Sequence, residues 1–223
     1  MDLKLFFQAI IKFLAGVICI GLVIFIPAGT LNYWNGWLFM VLLFVPMFFA
    51  GIALMIKNPD LLMRRLNSKE KDKEQKIVIL LSGVMFLSIF IVAGLNYRYS
   101  WIQLPNMAVL IASIIFVIAY ILYAVVLREN EYLSRTIEVE ENQRVVNTGL
   151  YAVVRHPMYS ATILLFLSMP LILGSIISFA IALSYLFIII KRIKNEETVL
   201  EKKLQGYTEY KKEVKYKLIP FIF

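Results

Sequence analysis

The chain has 223 residues, of which 61% are hydrophobic and only 17% are charged. A soluble domain usually has about 25% charged residues and about 45–50% apolar ones, so this composition excludes an ordinary soluble protein. The net charge of +8 does not indicate nucleic-acid binding, because the basic residues lie in loops and the tail and no nucleic-acid-binding motif is present. The single cysteine, Cys19, excludes an intramolecular disulfide and a cysteine-cluster metal site.

The apolar residues are arranged in blocks. Four blocks are long enough to cross a hydrocarbon core, which needs about 20 residues. Two shorter blocks follow, divided by Gly174-Ser175, and they either cross fully or stop short as a tight hairpin. We therefore expect an all-α, polytopic helical membrane protein with about six transmembrane segments, the last two of which form a helical hairpin. The six predicted segments are 5–26, 34–56, 77–95, 105–127, 158–173 and 176–190.

The last part of the chain, residues 191–223, is a basic tail. Its apolar side chains recur at roughly helical spacing from Ile193 to Tyr207, and Pro220 ends the pattern. This spacing predicts a cytoplasmic amphipathic C-terminal helix.

The distribution of basic residues predicts the orientation in the membrane. Seven lie in 57–76, four in 128–155 and nine in 191–223, against one between the third and fourth segments and none between the first two. Loops rich in lysine and arginine stay on the cytoplasmic side. With six spans, both termini and all three charged regions are therefore predicted to be cytoplasmic.

One stretch, residues 149–159, stands where the hairpin is about to start and contains the only histidine, His156. Arg155 precedes this histidine, and Pro157 favours an extended conformation for it. The stretch is compatible with two interpretations: a simple interfacial turn with arginine and tyrosine at the membrane surface, or part of a functional site.

A second polar group stands where the last apolar block ends. Arg192 and Glu196 are four residues apart and share one face of a helix. Most such pairs are surface ion pairs worth less than about 1 kcal/mol. At a membrane surface beside Arg155-His156, however, a cation and a carboxylate could bind a ligand that has an anionic and a cationic end.

These two groups together carry a family resemblance. The pattern Tyr151-x3-Arg155-His156-Pro157-x-Tyr159, an apolar hairpin and then Arg192-x3-Glu196-Glu197 resembles the isoprenylcysteine carboxyl methyltransferase family, which is related to the phospholipid N-methyltransferases. The resemblance covers about residues 130–220. The apolar blocks predict a four-helix transmembrane region at 1–127, and the resemblance implies a methyltransferase core at 128–223.

The resemblance also implies the site. The cofactor would be S-adenosyl-L-methionine, with no metal, and Arg192 would be the catalytic and substrate-binding residue. Three positions depart from the family's usual pattern: Glu140, where relatives often have Gln; Leu150, where Pro is frequent; and Ser160, where Gly or Ala is usual. The positions implied to contact the cofactor are Glu140, Gln143, Arg144, Val145, Val146, Tyr151, His156, Pro157, Met158, Tyr159 and Glu196.

The function expected from the resemblance is methyl transfer to a membrane lipid or isoprenoid acceptor, as carboxyl O-methylation. An amine or thiol acceptor stays open, as in a phospholipid N-methyltransferase. A sterol-reductase-like enzyme that binds NADPH and a non-enzymatic lipid-binding scaffold are two further alternatives. A soluble Rossmann methyltransferase is excluded, because no Gly-x-Gly-x-x-Gly follows a strand.

Overall fold

The computed structural model describes residues 3–67, 73–134, 136 and 139–222. Within these residues the fold is all-α, with one short 3-10 turn at Gly149–Ala152 and one isolated β-bridge between Gln103 and Ser175. The helices are α1 (Leu3–Ala28), α2 (Trp34–Lys57), α3 (Pro59–Leu66), α4 (Lys73–Tyr99), α5 (Asn106–Glu129), α6 (Pro157–Ile172), α7 (Ile176–Ala182), α8 (Ser184–Lys203) and α9 (Tyr207–Glu213).

Five helical stretches in the described part are long and apolar enough to cross a membrane. This confirms the predicted all-α, multi-pass membrane protein. The α6 helix has 16 residues, or about 24 Å, against a hydrocarbon core of about 30 Å, so the sixth span stays a prediction. The five stretches are Leu3–Ala28, Trp34–Lys57, Gln75–Tyr99, Asn106–Glu129 and Ile176–Lys203.

The core lies between α1, α2, α4, α5, α6, α7 and α8. Phe39 of α2 is fully buried, and its ring centroid lies 5.6 Å from that of Phe90 and 6.1 Å from that of Phe116. The α6 helix packs along α5, while α7 and α8 pack along α4. These contacts cross the boundary predicted at residue 127, and the division into two regions stays a prediction.

The short helix α3 begins at Asn58-Pro59-Asp60, a sequence that favours a turn or a helix start. The Asn58 side chain accepts a hydrogen bond from the Leu61 N–H at 3.0 Å, and Pro59 occupies the first helical position. The next helix, α4, begins at Lys73, which is four residues before the apolar segment predicted from residue 77. The run from Lys73 to Lys76 is therefore helical rather than part of the connection.

At the end of the bundle away from α3, three connections meet. The Tyr33 hydroxyl and the Asn35 side-chain amide donate to the carbonyls of Leu173 and Ile172. The Leu104 N–H donates to the carbonyl of Gly174, the residue after Leu173, at 3.3 Å. These bonds fix the turn between α6 and α7, and they explain how a two-helix hairpin is held against the first four membrane segments.

The region in which the sequence predicted one amphipathic C-terminal helix is divided in two. Its first part continues the last membrane segment as far as Lys203. Gly206 then adopts φ 85°, and α9 follows as a separate short helix from Tyr207 to Glu213. The turn at Gly206 reverses the chain, because a positive φ cannot continue a right-handed helix.

The close contact between α1 and α4 generates the first prediction. A Cβ at Gly94 would lie 2.8 Å from the Ile24 carbonyl oxygen and 2.9 Å from the Ala28 nitrogen. Gly94→Ala should therefore separate the two helices and lower stability by about 1–3 kcal/mol. The measurement is the unfolding temperature of the detergent-purified protein.

Gly83→Ala on the same helix is the matched control. A Cβ at Gly83 would meet no atom within 4 Å, so this change should leave the unfolding temperature equal or slightly raised. Equal unfolding temperatures for the two variants would contradict the close packing of α1 on α4.

Candidate functional site

A carboxylate at the end of α5 holds the turn that leads into the site. Glu129 Oε2 accepts a hydrogen bond from the Leu150 N–H at 2.9 Å. Gly149 has φ 58°, and a Cβ there would lie 2.2 Å from Glu129 Oε1, so a side chain at this position would displace the carboxylate. The turn places the buried Tyr151, whose hydroxyl accepts from Asn130 Nδ2 at 3.0 Å.

The tail after α9 is fastened to the start of α6 by backbone hydrogen bonds. The Arg155 N–H donates to the Tyr216 carbonyl and the His156 N–H donates to the Lys217 carbonyl, both at 2.9 Å. The Ser160 hydroxyl donates to the next carbonyl of the tail at 2.6 Å. Residues that are far apart in sequence therefore form one wall with the Arg-His-Pro motif.

A buried ionic cluster joins this wall to α8. Arg155 Nε lies 2.8 Å and His156 Nε2 lies 3.2 Å from Glu197 Oε1, and all three side chains are buried. A carboxylate only accepts hydrogen bonds, so His156 Nε2 carries the proton in this contact. Arg155 also donates to the carbonyls of Val214 and Lys215 at 2.6 and 2.8 Å, which ties the tail to the same cluster.

A second network connects α6, α8 and α4. The Tyr159 hydroxyl donates to Glu196 Oε2 and accepts from Arg192 Nε at 2.9 Å. Arg192 Nη1 also donates to Gln75 Oε1 at 3.3 Å. The predicted pair on α8 is therefore joined through a phenol of the Arg-His-Pro-x-Tyr motif, and the arginine is held from both sides.

These elements enclose a cavity, here called the polar cavity, with about 820 Å³ of empty space including the part open to solvent. Its wall includes the polar interval after α5, the start of α6, α8 and α9. Ten of the residues predicted for the site lie in this wall. They are Gln143, Arg144, Val145, Val146, Tyr151, His156, Met158, Tyr159, Arg192 and Glu196.

A second space lies between α4, α6 and α8 and contains about 980 Å³, again including open volume. Its wall is mostly apolar, with Val78, Ile79 and Phe86 on α4 and Ile188 and Ile189 on α8, and we call it the apolar groove. The two spaces have four wall residues in common. These are Ser134, Met158, Tyr159 and Arg192.

Two predicted cofactor positions are not in the wall of the polar cavity. Pro157 is the first residue of α6 and is buried, where its missing N–H and fixed φ favour a helix start. Glu140 faces α3, and its carboxylate lies 2.9 Å from Arg64 Nη1 in a partly exposed ion pair. The structure thus gives Glu140 a partner on α3 instead of a place in the cavity.

Sequence reasoning missed several residues of the site. Glu197 was noted only as part of a motif, yet it lies at the centre of the ionic cluster. A signal was available, because Ile189, Ile193 and Glu197 lie on one buried face of α8, and a carboxylate on such a face needs a cationic partner. Arg155 was likewise noted in the motif without an assigned contact. The other wall residues that had no predicted contact are Asn130, Tyr132, Leu133, Ser134, Thr136, Leu200, Tyr207 and Tyr210.

One wall residue indicates a ligand. The Tyr207 hydroxyl is buried and, within the described residues, has no hydrogen-bond partner. Burial raises the pKa of this phenol, and the nearby Glu197 and Glu196 carboxylates raise it further, so the hydroxyl is a proton donor at neutral pH. A buried donor of this kind suits an organic cofactor with acceptor atoms. The described part of the chain contains no group of three or more His, Cys, Asp or Glu residues that could hold a metal ion.

The ionic cluster generates the second prediction. Glu197→Gln removes the negative charge that faces Arg155 and should destabilise the fold by about 3–5 kcal/mol, because it leaves a buried guanidinium without its counter-charge. The unfolding temperature in detergent, followed by circular dichroism, measures the effect.

Glu201→Gln provides the comparison for this variant. Glu201 is on the same helix and pairs with Lys211, but both side chains are 38% exposed, so the change should be within about 1 kcal/mol of the parent. A Glu197→Gln protein as stable as the Glu201→Gln protein would show that the buried cluster does not hold the site together.

Comparison with known proteins adds the family. Residues 107–202 match the family model described as the isoprenylcysteine carboxyl methyltransferase family. The matched stretch runs from α5 to the end of α8 and contains the Arg155-His156-Pro157 motif, Arg192 and Glu196. A comparison with curated protein sequences found no match. Over residues 107–202, which are less than half of the chain, this protein is therefore similar to the isoprenylcysteine carboxyl methyltransferase family.

Proposed function

We propose that this membrane methyltransferase uses S-adenosyl-L-methionine to methylate the carboxylate of a lipid-like or isoprenoid acceptor. The family match supports a membrane methyltransferase. The observation that carries the finer proposal is the common wall of the polar cavity and the apolar groove, formed by Ser134, Met158, Tyr159 and Arg192. A water-soluble cofactor and a lipid-borne acceptor can reach the same side chains from two sides.

In this proposal the polar cavity holds the cofactor. The run 143–146 and Tyr151 contact the nucleoside, as the family resemblance implies, and the Glu196 carboxylate pairs with the ammonium of its amino-acid part. The Tyr207 hydroxyl donates a hydrogen bond to the cofactor, which gives its buried O–H a partner. These residues fit the group because they combine apolar contacts, a carboxylate and a buried donor.

The residues at the common wall orient the acceptor. When bound, the cofactor supplies a methyl carbon on a sulfonium: the acceptor's carboxylate oxygen bonds to that carbon, sulfur keeps the electron pair of the broken C–S bond, and both charges are neutralised without release of a proton. Arg192 holds the carboxylate, and Tyr159 and Gln75 fix the guanidinium in position. The apolar groove excludes water, which favours a step that neutralises charge.

The proposed orientation places the polar cavity at the cytoplasmic side. It is supported by the distribution of basic residues, with nine after residue 190 and seven in 57–76. The apolar groove lies between membrane helices, so a lipid acceptor would move into it laterally from the bilayer.

The test of this proposal is calorimetry of the detergent-purified protein with S-adenosylhomocysteine. The parent should bind it, and Glu196→Ala should weaken binding by about 1.5–3 kcal/mol through loss of a charge-assisted contact. Arg192→Ala should lower the turnover of N-acetyl-S-farnesylcysteine more than it lowers cofactor affinity, because Arg192 contacts the acceptor. Glu201→Gln, one turn beyond Glu196 on α8, should change neither quantity.

Different results would separate the alternatives. Absence of binding to a folded protein, followed by binding of NADPH, would favour a reductase, and absence of both would favour a scaffold. Equal small effects at Glu196 and Arg192 would contradict their different roles. A base-labile methylated lipid indicates an ester, whereas a base-stable product indicates methylation of an amine or thiol.

The neighbouring tyrosines of α9 give a further prediction. Tyr207→Phe should weaken S-adenosylhomocysteine binding by about 0.5–1.5 kcal/mol and leave the unfolding temperature of the ligand-free protein unchanged, because the O–H has no partner within the described residues. Calorimetry and thermal unfolding, run on the same preparation, measure both quantities.

Tyr210→Phe should mainly affect stability rather than ligand binding. The Tyr210 hydroxyl donates to the Tyr151 carbonyl at 2.7 Å, so its removal should lower the unfolding temperature and have the smaller effect on ligand affinity once the protein is folded. The same pattern in both variants would exclude a ligand-binding role that is specific to Tyr207.

A further inference from the structure

The apolar groove has a second arginine in its wall besides Arg192. Arg65 lies in the last turn of α3, which precedes the stretch that matches the family model. Successive residues of a helix point about 100° apart, so Arg64 and Arg65 face different surroundings. Arg64 turns to Glu140, whereas Arg65 turns to the groove.

The partners of Arg65 are all uncharged. Its guanidinium donates to the Tyr123 hydroxyl, to the Ser134 carbonyl at 3.3 Å and to Met158 Sδ at 3.8 Å, and it lies 5.6 Å from the centroid of the Tyr123 ring. No carboxylate pairs with it in the described part of the chain. Thioether sulfur is a weak acceptor, so one side of this partly buried cation still favours an anion.

The charge of the groove is also one-sided. Arg65 and Arg192 are the charged residues among the described residues of its wall. The nearest carboxylate in the network, Glu196, faces the polar cavity and accepts from Tyr159. Two guanidinium groups beside an apolar wall attract an anion and repel a protonated amine. The low dielectric constant of the apolar wall strengthens both effects.

The two arginines approach the common wall from different elements. Arg65 contacts Met158 and Arg192 contacts Tyr159, and these two residues are adjacent at the start of α6. An anionic head group that binds at the common wall therefore lies near both guanidinium groups. The apolar side chains of α4 and α8 continue from that point and suit the chain of an amphiphile.

We infer that Arg65 is a specificity-determining residue, which together with Arg192 binds the anionic head group of the acceptor and selects a carboxylate-bearing amphiphile over an uncharged or amine-bearing one. This inference rests on the proposed function, because it concerns the acceptor of the same reaction. Arg65 acts on the choice and position of the acceptor, while cofactor binding belongs to the polar cavity.

The experiment compares probes that share one apolar tail. N-acetyl-S-farnesylcysteine is the acid, its primary carboxamide is the uncharged match, and S-farnesylcysteamine is the amine. Their binding to the full-length, detergent-purified protein with S-adenosylhomocysteine bound is measured by calorimetry. Because the same two probes are used with the parent and with each variant, their partition into detergent micelles cancels when the acid-to-carboxamide ratios of these proteins are compared.

The parent should bind the acid at least about tenfold more tightly than the carboxamide, because charge-assisted hydrogen bonds are lost with the amide. Arg65→Gln should reduce this ratio at least about threefold, while affinity for S-adenosylhomocysteine stays within about twofold of the parent. Arg64→Gln on the same helix should leave the ratio unchanged. Arg65→Lys, which keeps the charge, should retain a preference for the acid.

The outcomes distinguish this inference from the proposed function. Normal S-adenosylhomocysteine binding with an unchanged ratio in Arg65→Gln would overturn the role of Arg65 and leave the proposed function standing. A parent that binds the amine or the carboxamide as tightly as the acid would overturn the inference as well. If Arg65→Gln does not fold, Arg65→Lys decides: the inference requires an acid-to-carboxamide ratio that is lower than the parent's but still favours the acid, because lysine keeps the charge and loses the planar, bidentate contact. A ratio equal to the parent's means that the residue only supports the fold. A parent that binds no S-adenosylhomocysteine overturns the proposed function itself.

Discussion

The site depends on one buried carboxylate. Glu197 on α8 faces Arg155 and His156, which precede α6, and the same arginine holds two carbonyls of the tail. A buried carboxylate and a buried guanidinium are each unfavourable alone, so each stabilises the fold only when the other is in position. The buried ion pair therefore fixes the last membrane segment relative to the Arg-His-Pro motif, and the hydrogen bonds of the same arginine fix the tail relative to both.

This constraint determines where the chemistry can occur. With α8 fixed by Glu197, the preceding turn of the same helix places Arg192 and Glu196 against Tyr159. The polar cavity then forms on the side of the tail, and the apolar groove forms on the side of the membrane helices. A single helix thus separates a charge-rich surrounding from an apolar one, and its arginine lies where the two meet.

Much of the site could be predicted because its residues lie in compact motifs. Two short stretches, 151–159 and 192–197, carry most of the wall residues that the resemblance implied. The prediction failed at Glu140, which does not line the polar cavity, and at Tyr207, which lines it without having been predicted. Both failures have the same cause: each residue belongs to a segment whose direction is set by partners that are distant in sequence. An ion pair with Arg64 holds Glu140 against α3, and the turn at Gly206 places Tyr207 in the wall of the cavity.

The sequence by itself determined the class of the fold, the positions of the apolar segments and the similarity of residues 107–202 to a known family, because block hydrophobicity and local motifs depend on near neighbours only. Tertiary structure alone decided that Glu197 and not Glu196 pairs with Arg155, that the tail closes over the start of α6, and that Arg65 of α3 lines the groove. These features join residues many positions apart. Their pairing follows from how helices pack and which charges are then buried, which no local pattern specifies.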